Sequence, residues 1–306
     1  MKRIDAFAYM QEYILDKREI GKKNTADLCS AGKNRLKAYW KEETLKWQQI
    51  TPEFLDGFIH YLKTEGLQEN SINSYISCIR AMYNKAVNIG VTSQSANPFR
   101  HLRLHRKETE KRAVPETVIE EIAKLDLKYS PELQLAAALF IFSYLTCGIP
   151  FADLARLTWD NVHDDIIIYK RIKTGTLVCI GITPGMKNLL KRYKQKDSKR
   201  LFPILPENEK ITERRYKNEL RKYNSRLKKI GKMLKTPRKL TSYVARHTWA
   251  TEALKKNIPL AAISQSLGHT SIKTTQLYLA SLSQDKLNKA NKKVTDKVDK
   301  LIRILV

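Results

Sequence analysis

The chain has 306 residues, and its 42% hydrophobic content is enough to bury the cores of two domains. Its 57 Lys and Arg outweigh 31 Asp and Glu, and the formal net charge of +26 points to a polyanionic partner, because protein cations displace the counterions of a phosphate backbone. No apolar run reaches the ~18 residues of a membrane span, and no secretory signal opens the chain, so a soluble cytoplasmic protein is expected.

The first hundred residues hold few Gly and Pro and read as about four helices. An amphipathic stretch runs from about Thr25 through Arg35-Leu36-Lys37-Ala38-Tyr39-Trp40. Thr51-Pro52-Glu53-Phe54 looks like a helix start, with Thr as N-cap and Pro in the first turn, and Phe54, Leu55, Phe58 and Leu62 share one face. Gly66 is its stop. Asn70-Ser71 opens another helix, whose apolar positions Ile72, Ile76, Ile79, Met82, Tyr83 and Ala86 recur at three and four, and Asn88 to Gly90 ends it. The basic stretch from Asn97-Pro98-Phe99 to Lys107 has a different texture and reads as an interdomain connector, either solvated or touching the partner.

A second unit begins near Val114-Pro115. Helices are expected over 115–126, 131–146 and 151–157. The period then changes to two: Ile166-Ile167-Ile168-Tyr169, Lys173-Thr174-Gly175-Thr176 and Leu177-Val178-Cys179-Ile180 read as strand, turn, strand. Helical patterns return from Lys187, with a long basic helix over 211–227, one ending near Leu254, another from Pro259 stopped by Gly268, and one over 270–279. The Lys-rich tail from Ser283 carries Leu287, Val294, Val298 and Leu301 on one face, suited either to solvent or to docking on a neighbour. Cys29, Cys78, Cys147 and Cys179 form no CxxC pair and suggest reduced thiols, mostly in the core, with neither a disulfide framework nor a zinc site.

Two stretches carry the chemistry: Ser242-Tyr243-Val244-Ala245-Arg246-His247-Thr248, and Leu267-Gly268-His269 followed by Thr274-Thr275-Gln276-Leu277-Tyr278. They resemble the tyrosine recombinase, or phage integrase, family, which carries H-x-x-R-H, then L-G-H, then a nucleophilic tyrosine nine residues later. Arg246, His269 and Tyr278 fall on those positions, and Lys173 on the family's β-hairpin lysine. The similarity is closest to short integrases and invertases of Bacteroides-type bacteria. It implies a mainly α fold: a helical core-binding domain over 1–105, a basic linker over 106–113, and over 114–306 an α-rich catalytic domain with a small antiparallel sheet and a C-terminal docking helix. It also implies a site-specific recombinase that cuts and rejoins double-stranded DNA through a 3′-phosphotyrosyl intermediate. The working unit would be a homotetramer on two sites, with accessory DNA-bending proteins as further candidate partners and no cofactor or metal.

Phosphodiester chemistry gives each residue type a reason. An in-line nucleophile suits Tyr278. A planar, permanently charged fork for the non-bridging oxygens suits Arg246, with His269 as a second donor. An acid for the leaving 5′ oxygen suits Lys173. His247, on the other side of its helix, reads as structural.

Two positions depart from the family pattern. Tyr243 replaces the first histidine of H-x-x-R and, at i and i+3, is expected to support Arg246. The family's first arginine would fall at Cys147 or Pro150, and neither is Arg, while Arg156 lies a helical turn too far on. Either another basic residue substitutes, or the protein is a catalytically impaired DNA-binding relative. Asp153, on an acidic family position, is expected to hold backbone or the arginine region in place.

Overall fold

The computed structural model describes residues 5–93, 97–100, 102–104, 107, 112–207, 211–272 and 275–276. The chain divides into two units, Met1–Glu110 and Lys111–Val306. Among the described residues no helix is long and apolar enough to cross a membrane.

The first unit is built from α1 (Ala6–Glu19), α2 (Lys23–Trp40), α3 (Pro52–Thr64) and α4 (Glu69–Asn88). Asp5 caps α1 by accepting from the Ala8 amide at 2.8 Å, and its other oxygen accepts from the Leu45 amide at 2.6 Å. One carboxylate thus satisfies an orphan helix donor and fixes the loop after α2. Thr51 caps α3 through the Phe54 amide at 3.1 Å. The apolar stripes close on one another: Leu36, Leu55, Phe58, Leu62, Ile76, Ile79, Met82 and Tyr83 are all buried.

The segment read as an interdomain connector, either solvated or touching the partner, begins as part of this unit. Phe99 is buried with its ring 5.4 Å from that of Tyr83, and Arg80 donates to the Leu102 carbonyl at 2.8 Å. The Asn70 amide brackets the Lys107 backbone, donating to its carbonyl at 2.9 Å and accepting from its N–H at 3.1 Å. The aromatic residue after Asn97-Pro98 explains this, because burying it drags the basic stretch onto α4.

In the second unit α5 (Glu116–Lys124) packs on α6 (Pro131–Leu145), whose Ala136 to Phe140, Phe142 and Ser143 are buried, as befits a central helix. After one turn of α7 (Phe151–Leu154) come β1 (Val162–His163), β2 (Ile166–Lys170) and β3 (Leu177–Gly181), an antiparallel sheet in the order β1-β2-β3. Register pairs Ile167 with Ile180 and Tyr169 with Val178, and these four face the core. The same alternation turns Cys179 outward, so the thiols divide: Cys29 and Cys78 are buried, Cys147 half-buried and Cys179 exposed.

α8 (Pro184–Tyr193) starts at its Thr183 cap, a turn before the expected residue, and α9 (Glu213–Met233) outruns its expected end. Tyr223, Leu227 and Ile230 continue its buried stripe. α10 (Val244–Lys255) and α11 (Leu260–Ser266) complete the described elements. Half of the helix expected over 270–279, Tyr278 included, and all of the tail from Ser283 lie outside the described residues.

Candidate active site

The site is organised by two guanidiniums that meet at the end of α11. Arg246 is 3% exposed, in the first turn of α10. Its Nη1 donates to the Gly148 carbonyl at 2.9 Å and its Nη2 to the Leu267 carbonyl at 2.6 Å. Both acceptors exist because of local backbone geometry. Cys147 and Gly148 have φ of +56° and +76°, a left-handed pair that turns the chain sharply after α6. The turn is held by the Gly148 amide on the Ser143 carbonyl at 2.7 Å and by Ser143 Oγ on the Ile149 carbonyl at 2.8 Å. A Cβ on Gly148 would sit 2.5 Å from Arg246 Cα, so only glycine lets α10 approach. The Leu267 carbonyl is an orphan acceptor of the last turn of α11, a usual place for a cation.

The second guanidinium belongs to Arg171, 5% exposed, just past β2. Its Nη1 donates to the same Leu267 carbonyl at 3.0 Å and to that of Gly268 at 3.3 Å, and its Nε lies 3.5 Å from Asp153 Oδ2. Asp153 Oδ1 accepts from the Ile172 amide at 2.9 Å, so this carboxylate, 5% exposed, holds both the backbone and the arginine, as expected of it. The chain descends tightly here: a Cβ on Gly268, whose φ is +62°, would lie 2.5 Å from Arg171 Cδ. Arg171 was not singled out in the sequence, although the signal was present. It continues the inward register of Ile167 and Tyr169, and a buried arginine requires partners.

His269 completes the cluster. Its Nε2 lies 3.0 Å from Arg246 Nη2 and its Nδ1 2.8 Å from Thr275 Oγ1. A guanidinium only donates, so we assign Nε2 as the acceptor and Nδ1 as the protonated nitrogen. This differs from the expected second donor to phosphate: next to Arg246 the imidazole offers a lone pair. Burial first, and then Arg246, Arg171 and Lys173, depress its pKa to about 4.

Lys173 is exposed in the β2–β3 turn, and its charge reaches His269. Thr174 Oγ1, beside it, donates to the Gly268 carbonyl at 3.4 Å, which ties the hairpin tip to the same corner. Tyr243 does not join Arg246. It stands at the N-terminus of α10, 39% exposed, with its ring 5.8 Å from that of His247 and no side-chain hydrogen bond among the described residues. Its backbone is already helical, with its carbonyl accepting from the His247 amide at 3.1 Å, but its ring lies against His247, four residues on, instead of Arg246 at i+3. Half-buried His247 has its pKa depressed to about 4 by burial, Arg112 and Arg246. At the two positions where an arginine was expected, the Cys147 thiol is pushed up to about 11, chiefly by burial, and Pro150 precedes α7. Arg156 is committed elsewhere, to the Ala152 carbonyl at 2.8 Å and the face of Tyr216 at 4.8 Å. Tyr278 lies outside the described residues.

The depressed histidines give a signed pH dependence. The unfolded chain takes up protons near 6.5 and the folded one only near 4, so stability is full above about pH 6.5 and falls as pH drops toward 4. Thermal melts of wild type and His247→Gln are expected to run parallel above pH 6.5 and below pH 4 and to differ in slope between the two, wild type losing more stability as pH falls. Parallel curves through that window would contradict the assignment.

Residues 5–104 match the phage integrase SAM-like domain, and residues 113–285 match the phage integrase family. The chain is 23% identical over 254 residues to the tyrosine recombinase XerD of Oceanobacillus iheyensis, covering 78% of this chain and 80% of that one. Among solved structures it is similar to the Tn1549 transposon integrase in complex with circular intermediate DNA (TM-score 0.67, 16% identity, 95% of this chain and 100% of that chain). It is also similar to a lambda integrase tetramer bound to a Holliday junction (TM-score 0.66, 16% identity, 92% of this chain and 80% of that chain). These structural likenesses concern the fold, a mainly helical one with a small antiparallel sheet.

Proposed function

The chain belongs to the phage integrase family, and from that premise we propose that it is a site-specific DNA recombinase working through Tyr278. The observation that best supports catalysis here is the convergence of Arg246, Arg171 and His269 on one helix end, beside the hairpin that carries Lys173.

In this reading the Tyr278 phenol oxygen attacks the scissile phosphorus and the bond to the 5′ oxygen breaks. A 3′-phosphotyrosyl link and a free 5′ hydroxyl result. Arg246 holds a non-bridging oxygen as charge shifts onto it. Once Arg246 Nη2 turns from His269 to the phosphate, the lone pair freed on His269 Nε2 takes the phenol proton, and Lys173 gives its own to the leaving oxygen. The phosphotyrosyl bond stores the energy for religation, so the chemistry calls on no nucleotide or metal. Attack by the freed 5′ end of a partner duplex exchanges strands.

We place the protein on two DNA sites as a homotetramer, with DNA-bending accessory proteins where the sites need them, in the cytoplasm and on the nucleoid. We place it nearest the Bacteroides-type integrases and invertases through its Cys147-Gly148-Ile149-Pro150-Phe151 element.

The test uses nicked duplexes tiled across the DNA flanking the protein's own gene. A denaturant-resistant adduct and recombinant joints are the expected products. Specific binding with no adduct on any bound fragment would mean a DNA-binding relative without catalysis. Lys173→Ala is expected to slow cleavage by about 10²–10⁴-fold, the range of a general acid. Replacing the bridging 5′ oxygen with sulfur, whose thiolate leaves without a proton, should restore the rate. Equal slowing on both substrates would remove Lys173 from that role.

A further inference from the structure

We propose that Arg171 is a catalytic residue of this site, with its Nη2 hydrogen-bonding a non-bridging oxygen of the scissile phosphate beside Arg246. The proposal rests on the recombinase reading and goes beyond it, since neither Cys147 nor Pro150 can supply that contact.

Four observations carry it. First, Arg171 is 5% exposed, and a guanidinium is not buried without a use for its donors. Nε faces Asp153 and Nη1 serves two carbonyls, while Nη2 makes no hydrogen bond among the described residues.

Second, Arg171 and Arg246 share the Leu267 carbonyl, so two like charges are held within hydrogen-bond distance of one oxygen. Packing them together in a dry corner is unfavourable on its own and becomes favourable when an anion arrives between them. A phosphodiester offers two non-bridging oxygens for two forks.

Third, Asp153 pairs with Arg171 through Nε alone, at 3.5 Å in a buried ion pair, and its other oxygen is taken by the Ile172 amide. It therefore orients the arginine from the Nε side and leaves Nη2 clear of the carboxylate. Gly268 closes over the Arg171 stem and fixes the direction of the fork.

Fourth, the other arginines near this corner are unsuited. Arg156 is spent on the Ala152 carbonyl and the Tyr216 ring, and Arg112 is exposed.

The test is a single-turnover cleavage assay on a nicked recombination site, with either a normal phosphate or a methylphosphonate at the scissile position. Methyl for oxygen removes the negative charge that a guanidinium would balance. Arg171→Ala is expected to form adduct about 10²–10³-fold more slowly than wild type on phosphate, the cost of one charged donor. On methylphosphonate it should match wild type. Arg171→Lys keeps the charge and the Asp153 contact. It is expected to fall between the two on phosphate, and it provides the same comparison if the alanine variant does not fold.

Slowing of either folded variant by the same factor on both substrates would mean a merely structural arginine and overturn the proposal. So would wild-type rates on phosphate for either variant. A wild type that binds its site and forms no adduct overturns the recombinase reading, and this proposal with it. The two failures are therefore distinguishable.

Discussion

Tyr278→Phe is expected to abolish the covalent protein–DNA adduct, lowering cleavage by on the order of 10⁴-fold or more, as removal of a nucleophile does. Binding to the site should be unchanged, because the substitution deletes one oxygen and keeps the ring. A phenol titrates near 10, so at neutral pH the oxygen is a poor nucleophile until a proton acceptor and nearby cations assist it. The buried arginines and neutral His269 provide those surroundings at the end of α11. The check is a denaturing gel of labelled nicked duplex after incubation with wild type and variant. A Tyr278→Phe protein that yields adduct at the wild-type level would place the nucleophile elsewhere.

The second large effect is expected at Arg246 and has two components that different measurements separate. Arg246→Ala removes one charged donor from the phosphate, worth about 10²–10³ in rate. It also strips the Gly148 carbonyl of its side-chain partner, at about 1–3 kcal/mol for an acceptor left buried and unpaired, while Arg171 still serves the Leu267 carbonyl. The variant should therefore melt lower as well as cleave more slowly. Arg246→Lys keeps the charge, but a single ammonium cannot reproduce the fork that spans Gly148 on one side and Leu267 on the other. It should recover stability only in part and stay well below wild type in cleavage. An Arg246→Ala protein with wild-type cleavage and melting would remove the arginine from both roles.

Much of this corner could be read from residue spacing, and the part that could not depended on contacts between distant segments. The stripes of α3 and α4 and the alternation in β2 and β3 were legible because burial repeats at the period of the element. β1 is two residues long and carries no period. The link of Lys107 to Asn70 joins positions 37 apart, and nothing local announces it. Tyr243 looked like a partner of Arg246 three residues on in the helix, whereas its ring lies against His247, four residues on. The tautomer of His269 is set by Arg246, 23 residues away. Arg171 is the instructive case. Its inward register could be extrapolated from Ile167 and Tyr169, but its meaning emerges only once Leu267 and Gly268 are seen above it.

The central claim is that Tyr278 becomes covalently joined to DNA, and peptide mapping of the adduct tests it most directly. The adduct formed on a nicked site would be digested with nuclease and protease, and the peptide carrying the residual nucleotide sequenced by mass spectrometry. The account predicts a phosphodiester-linked nucleotide on Tyr278. A nucleotide on any other of the 14 tyrosines, or on another residue type, would contradict it.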